Sequence, residues 1–410
     1  MGVTAKKSLV GLTRALPRLL RMEEVKGLGR TFKQQWGGGK NTRIIVWKTF
    51  TDGQGLLRNL RDLGRVRVGK IVPNWTLAMW EVFAEREAAV DGDKRYTYRD
   101  LKDRVLRLAN TLQDLGVRPK DRVATMIQNG APFLEILNAT SLIGAPMPFV
   151  NWHLTGEELR KTINLRSPKV FIFDADFLDE VEGIRSGLES TGYLVMIGGE
   201  KPPEGILSYD DLLARHPATR PEMDFLASLN PYTGGTTGIP KSSNLYDSLS
   251  YTLSDLAEAP RETFENFLPY NFRALSYFYW FGGDRIRDPM SENIRTLIVT
   301  PVYHAGTAAG WAPCFLLGAT GVFMRRFDPE EWLRLIERER INWAFVAPTI
   351  LQRVLALPEE VKRKYDLSYM RSLICAAAPC PPQVKRDINA LFREQGAPGP
   401  VFSEYYGSSE

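Results

Sequence analysis

From about residue 90 onward, short apolar runs alternate with longer stretches whose apolar side chains recur at helical spacing. The runs Arg122–Gln128, Ala145–Val150, Lys169–Phe173 and Leu194–Ile197 read as strands, and so do Thr296–Thr300, Thr320–Met324, Trp343–Val346 and Ser372–Ala376. Between or after them, helices are predicted over Pro132–Ile143 and Ser208–Arg215, and over about 305–317, 328–340, 348–357 and 382–394. Thr97 and Asp100 form a capping-box pattern. Leu101, Val105, Leu108, Leu112 and Leu115 follow on one helical face, and Gly116 sits where a helix stops. Thr155 and Glu158 open another helix in the same way. Strands alternating with helices of this length call for an α/β fold of largely parallel sheets flanked by helices, because a parallel connection must cross back over a sheet face. No internal repeat of fixed period and no low-complexity segment interrupts the pattern.

Charge divides the chain more sharply than its net value of +5 suggests. Residues 1–70 carry 16 Lys/Arg against 4 Asp/Glu, whereas the remaining 340 hold 37 against 44. A basic cleft for nucleic acid is thereby excluded from the body, and the basic character belongs to an N-terminal extension. There, Leu9, Leu12, Leu16 and Leu19 recur at helical spacing among Lys and Arg, and Pro17 and the glycines 37–39 break the pattern. This extension reads either as a solvated tail or as a basic amphipathic helix lying on an anionic membrane surface. Residues 71–410 form the body.

Two other stretches stand apart. Thr296–Met324 runs 29 residues without Asp, Glu, Lys or Arg, longer than a membrane span needs, but Pro301, Pro313, His304 and four glycines mark it as buried α/β core. Near 260–290 the rhythm fails, and nine of the 18 residues from Phe264 to Phe281 are aromatic. That insertion packs on the body, or forms part of an apolar tunnel or a membrane-facing lip. The three cysteines have neither disulfide-framework nor zinc spacing, which points to a reducing, cytoplasmic setting.

The densest chemistry lies in Tyr232-Thr233-Gly234-Gly235-Thr236-Thr237-Gly238-Ile239-Pro240-Lys241. Three glycines let backbone N–H groups close on an anion, three threonines add hydroxyl donors, and Lys241 supplies a mobile cation. The composition suits a nucleotide triphosphate. A Walker loop is excluded, since that motif needs Lys directly after its last glycine and Ile239-Pro240 intervene.

This loop resembles the signature of the AMP-forming adenylating enzymes: acyl-CoA synthetases, luciferases and peptide-synthetase adenylation domains. The resemblance runs from about Trp75 to Glu410, through Tyr96-Thr97-Tyr98-Arg99-Asp100-Leu101, Ile143-Gly144-Ala145-Pro146-Met147-Pro148, Thr300-Pro301-Val302-Tyr303-His304 and Ala347-Pro348-Thr349. It continues through Ala376-Ala377-Ala378-Pro379 to Tyr405-Tyr406-Gly407-Ser408-Ser409-Glu410. Gly234 stands where the family often has Ser or Thr, Ser242 where it usually has Gly, and Ser409 where Thr is common.

The resemblance is closest to a fatty acyl-CoA synthetase. It implies stacked, largely parallel sheets as in the large N-terminal domain of such enzymes, and activation of a fatty or other apolar carboxylic acid by ATP and Mg²⁺ to acyl-AMP, then to acyl-CoA. By resemblance, Thr233, Gly234, Gly235, Thr236, Thr237, Gly238 and Lys241 hold the phosphates, and Thr236 and Glu410 ligate Mg²⁺. Ala376, Ala377 and Ala378 pass the adenine edge, Tyr406 stacks on the base beside Gly407, and Ser409 meets the α-phosphate. His304 lies at the acyl carboxylate, with Gly306, Gly310 and Trp311 lining the acyl pocket. Lys241, His304 and Glu410 are the residues nearest the chemistry. The family also carries a ribose-binding acid and a C-terminal lid domain with a lysine. Neither is found up to Glu410, so the expectation is an incomplete adenylation domain, inactive alone. A non-catalytic relic or membrane-binding module, and an enzyme loading a carrier-protein thiol in place of CoA, are the competing readings.

Overall fold

A computed structural model describes residues 71–223, 229–230 and 293–405, together with Ile44 and Lys48. The rest of the N-terminal extension, the loop Thr233–Lys241, the aromatic insertion and the terminal Tyr406–Glu410 lie outside the described residues.

Thirteen strands lie among the described residues: β1 (Glu87–Asp91), β2 (Lys94–Thr97), β3 (Val123–Met126), β4 (Met147–Pro148), β5 (Val170–Asp174), β6 (Tyr193–Ile197), β7 (Ile206–Ser208), β8 (Leu229–Asn230), β9 (Arg295–Ile298), β10 (Thr320–Phe323), β11 (Trp343–Val346), β12 (Ser372–Cys375) and β13 (Phe402–Glu404). Seven form one sheet in the order β13-β12-β11-β9-β10-β1-β2, parallel except for the edge pair β1–β2. Four more form a parallel sheet, β3-β5-β6-β7, and β4 pairs with β8 in a short parallel ribbon.

Helix Tyr98–Asp114 shows how the sequence builds these layers. Thr97 caps it, accepting from the Asp100 N–H while the Asp100 carboxylate accepts from the Thr97 N–H, a complete capping box. Its Leu101, Val105, Leu108 and Leu112 are buried, each burial contributing about 2 kcal/mol. Helix Gly156–Arg166 departs from expectation. Thr155 is its N-cap residue but makes no side-chain cap hydrogen bond, and acidic Glu157 and Glu158 complement the helix dipole instead. The uncharged stretch Thr296–Met324 is core: strand β9, a 3₁₀ turn Ala305–Thr307, helix Ala308–Leu317 and strand β10. Among the described residues no helix is long and apolar enough to cross a membrane. All three cysteines are buried and free, and burial pushes the Cys314 and Cys375 thiols up to about 12.

A polar seam joins the two main sheets. The buried Asp174 carboxylate, at the end of β5, accepts the Gln128 N–H at 2.8 Å, and the Arg325 guanidinium lies 3.6 Å away. Arg325 also donates to Gln128 at 2.8 Å and to Asp176 at 3.1 Å. Asp91, at the end of β1, accepts the Ala131 N–H at 2.9 Å, where helix Ala131–Leu142 begins.

Candidate functional site

In open parallel sheets, ligands bind outside the carboxyl ends of the strands, where successive loops can diverge. His304 and Ala376–Ala378 lie there. β9 runs into His304, and β12 into Ala376-Ala377-Ala378. β13 leads to Tyr405, the last described residue before Tyr406.

These loops are tied together. The Tyr405 hydroxyl donates to the Gly306 carbonyl at 3.1 Å, and the Tyr405 N–H donates to the Cys375 carbonyl at 3.2 Å. One residue, through its hydroxyl and its backbone N–H, therefore links the segments that follow β9, β12 and β13. Burial pushes the Tyr405 phenol up to about 12, so it is a neutral donor at physiological pH. Phe345 on β11 closes the group: its ring centroid is 6.2 Å from that of Tyr405. A Cβ added at Gly310 would approach the Phe345 Cβ to 3.2 Å, so glycine lets helix Ala308–Leu317 press against β11. A Cβ at Gly306 would stand 3.6 Å from the Phe345 ring, an ordinary contact.

The His304 turn is internally braced. The His304 N–H donates to Pro301 at 3.1 Å, and its carbonyl accepts both the Thr307 N–H at 3.1 Å and the Thr307 hydroxyl at 2.7 Å. The side chain reaches solvent, yet its ring lies 4.4 Å from the ring of Tyr303. Desolvation by these surrounding atoms, and then repulsion from His153, hold the His304 pKa below its usual value. The imidazole is thus neutral near pH 7, able to donate or accept one hydrogen bond without carrying charge.

Beyond β12 the chain emerges from the sheet: Ala376 is buried, whereas Ala377, Ala378 and Pro379 are exposed. Ala377 has φ 74°, the left-handed region that a Cβ disfavours by about 1–2 kcal/mol. Its neighbour Ala376 is anchored by donation to the Val346 carbonyl at 3.3 Å. Trp311 sits differently from the other candidates. It is buried in the main core, edge-on to Phe133 with centroids 5.5 Å apart.

Sequence reasoning passed over two groups. Tyr405 was visible as part of its terminal motif but carried no assigned role. Trp152 follows the short strand β4 and packs with His153 at 3.8 Å and with Phe177 and Tyr303 each at 6.1 Å. These rings join the loops after β4, β5 and β9. The apolar run ending in Val150 was the available signal for β4, but nothing in it specified the rings' partners.

Thr233, Gly234, Gly235, Thr236, Thr237, Gly238 and Lys241 lie outside the described residues, as do Tyr406, Gly407, Ser409 and Glu410. Among the described residues no group of three or more His, Cys, Asp or Glu side chains could hold a metal ion. Both expected Mg²⁺ ligands, Thr236 and Glu410, belong to the undescribed segments.

Comparison with known proteins fits this arrangement. Residues 78–410 match the AMP-binding enzyme family. The chain is 27% identical over 342 residues to a feruloyl-CoA synthase of Amycolatopsis sp, covering 82% of this chain and 59% of that protein. It is 29% identical over 336 residues to a long-chain-fatty-acid–CoA ligase of Thermus thermophilus, covering 78% and 56%. The luciferase-like enzyme of the mealworm Zophobas morio superposes with a TM-score of 0.63 at 21% identity, over 85% of this chain and 74% of that one. The chain belongs to the AMP-binding enzyme family, and its α/β architecture is that of the family's large N-terminal domain. It spans less than two thirds of the length of the two curated relatives.

Proposed function

We propose that this protein takes part in ATP-dependent activation of a carboxylic acid, forming acyl-AMP and then acyl-CoA. The observation that carries the reading is the convergence of the His304 turn, Ala376–Ala378 and Tyr405 at the carboxyl edge of one parallel sheet. That edge belongs to a chain whose Thr233–Lys241 segment has the composition of a phosphate cradle.

A carboxylate attacking an anionic α-phosphate meets charge repulsion, so the site's work is positioning and charge compensation. Thr233 to Lys241 would hold the β- and γ-phosphates, with Lys241 offsetting charge on the leaving pyrophosphate. Thr236 and Glu410 supply hard oxygen ligands of the kind Mg²⁺ takes, and the ion, when bound, would neutralise phosphate charge. Ala376, Ala377 and Ala378 would run along the adenine edge, where small side chains allow close approach. Tyr406 and Gly407 would face the base, and Ser409 the α-phosphate. Neutral His304 would hydrogen-bond the acyl carboxylate without trapping it in a tight ion pair. Gly306, Gly310 and Trp311 would line the acyl pocket, Trp311 from its core side.

The acid itself is proposed to be fatty or otherwise apolar. The relatives named above act on a feruloyl group in one case and a long-chain fatty acid in the other, so the class spans aromatic and aliphatic acids. Residues 1–70, with their excess of 12 positive charges, are proposed to touch an anionic membrane surface.

Acid-dependent exchange of pyrophosphate into ATP tests the reading, with a panel of fatty, aromatic and steroid-like acids. Exchange with at least one acid, lost about a hundredfold in Lys241→Ala with folding intact, is the expected result. No exchange with any acid, or normal exchange in the mutant, would contradict it.

A further inference from the structure

The turn that presents His304 is held from two sides. Tyr405 grips it through Gly306. On the other side stands Asn129, a residue of the loop after β3, in the smaller sheet. Asn129 is buried, with 4% of its surface exposed. Its Oδ1 accepts the Val302 N–H at 3.1 Å, and its Nδ2 donates to the Met324 carbonyl at 3.1 Å and more loosely to the Ile298 carbonyl at 3.4 Å. One amide therefore binds three backbone segments: the end of β9, the chain just past the end of β10, and the turn two residues before His304. A buried amide with both ends engaged has one orientation available, and a buried N–H or carbonyl left without it loses its partner outright. The bonds within the turn, from His304 to Pro301 and from Thr307 to His304, fix its shape but not its place. Its place depends on what reaches it from outside.

We infer that Asn129 is a positioning residue for the acyl-activating site, setting where His304 stands relative to the acid by holding Val302 against the ends of β9 and β10. The inference rests on the acid-activation reading proposed above. Asn129 touches neither acid nor nucleotide in this account and acts through the backbone. Loosening it displaces the imidazole, whereas none of its three bonds reaches Ala376–Ala378. Its signature is therefore selective, with weaker use of the acid and unchanged use of ATP.

The chain has three histidines, so ring-labelled histidine gives three assignable sets of resonances in the whole protein. His216 bonds to Leu212 and Asp114 and makes none of the bonds of the His304 turn, so it serves as the internal control. Asn129→Ala removes all three bonds, and Asn129→Ser keeps a small polar group near Val302. The expected result is that His304 resonances move in both variants while those of His216 stay. The apparent KM for the acid rises about tenfold, the worth of one such hydrogen bond, and that for ATP stays within about twofold. Wild-type His304 resonances with an unchanged acid KM would overturn the inference. So would movement of all three histidines together, or failure of both variants to fold, because the side chain would then hold the two sheets and not the turn. If the wild-type protein shows no acid-dependent exchange, the activity reading fails, while the histidine resonances still decide the positioning role.

Discussion

The two edges of the large sheet use charge in opposite ways. At the amino edge, Glu339 is buried, with 2% of its side chain exposed, and is surrounded by guanidinium groups. Arg95 bonds it at 2.9 and 3.2 Å, Arg295 at 2.9 Å and Arg338 at 3.0 Å, while Arg295 also bonds Glu87 at 2.7 Å. Burial alone would raise the Glu339 pKa, but hydrogen bonds from Arg95 and Arg338 and the charges of Arg95 and Arg295 outweigh it and hold the carboxyl low. At the carboxyl edge, His304 is kept neutral and Ala377 is held in a left-handed conformation, and across the polar seam the buried Asp174, at the end of β5 in the smaller sheet, is pushed up to about 6. One edge has its charges satisfied and carries stability. The other holds groups away from their relaxed states, as binding edges do.

Breaking the amino edge should cost the most. Glu339→Ala leaves Arg295 and Arg95 facing each other without their shared carboxylate, and the expected loss is about 3 kcal/mol of unfolding free energy, read from urea denaturation. A loss near zero would mean the arginines find water as readily as they find Glu339.

The two carboxylates should also respond to pH with opposite slopes. Burial is the main cause of the raised value at Asp174, opposed by the Gln128 N–H and the Arg325 charge and aided by the charges of Asp176 and Asp91. The folded state therefore binds this proton more tightly than the unfolded state does. Its contribution to stability is greatest below the unfolded value near 4 and is lost as pH rises through about 6. Glu339, with its lowered value, contributes stability above the ordinary carboxylate range that is lost as pH falls. Asp174→Asn should flatten the decline between about pH 4 and pH 6 and gain about 1–2 kcal/mol at pH 7 relative to pH 4. An unchanged pH profile would show that Asp174 ionises normally.

The smallest expected effect lies at Ala377, in the segment proposed to pass the adenine edge. Ala377→Gly relieves the left-handed strain at the cost of some unfolded-state entropy, for a net gain of about 0.5–1 kcal/mol in stability. A destabilised glycine variant, measured in the same urea titration, would mean that the strain is not real.

Legibility in the sequence followed the same division. Helix Tyr98–Asp114 was readable because its cap and its leucine spacing are local, and strand β11 because Trp343–Val346 is a clean apolar run between a helix and Ala347-Pro348. β1 and β2 were not read. Both are short, carry charged residues and end the sheet as an antiparallel pair, with no helix between them. The expected capping box at Thr155 failed because a spacing rule names partners without fixing the approach that brings them together. At the carboxyl edge, His304 and Ala376–Ala378 stood out through motifs. Asn129, Tyr405 and Trp152 act through contacts between residues distant in sequence, and no local pattern encodes those.

If the carboxyl edge binds nucleotide and acid, as proposed, and the amino edge only holds the sheet together, ligands should protect one edge and not the other. Amide hydrogen exchange on the protein, with and without ATP, Mg²⁺ and an activating acid, tests this most directly. Slowed exchange is expected across residues 301–307, 376–380 and 402–405, with no change around Glu87, Arg295 and Glu339. Protection at the amino edge, or none at the carboxyl edge in the presence of a saturating acid that supports exchange of pyrophosphate, would contradict it.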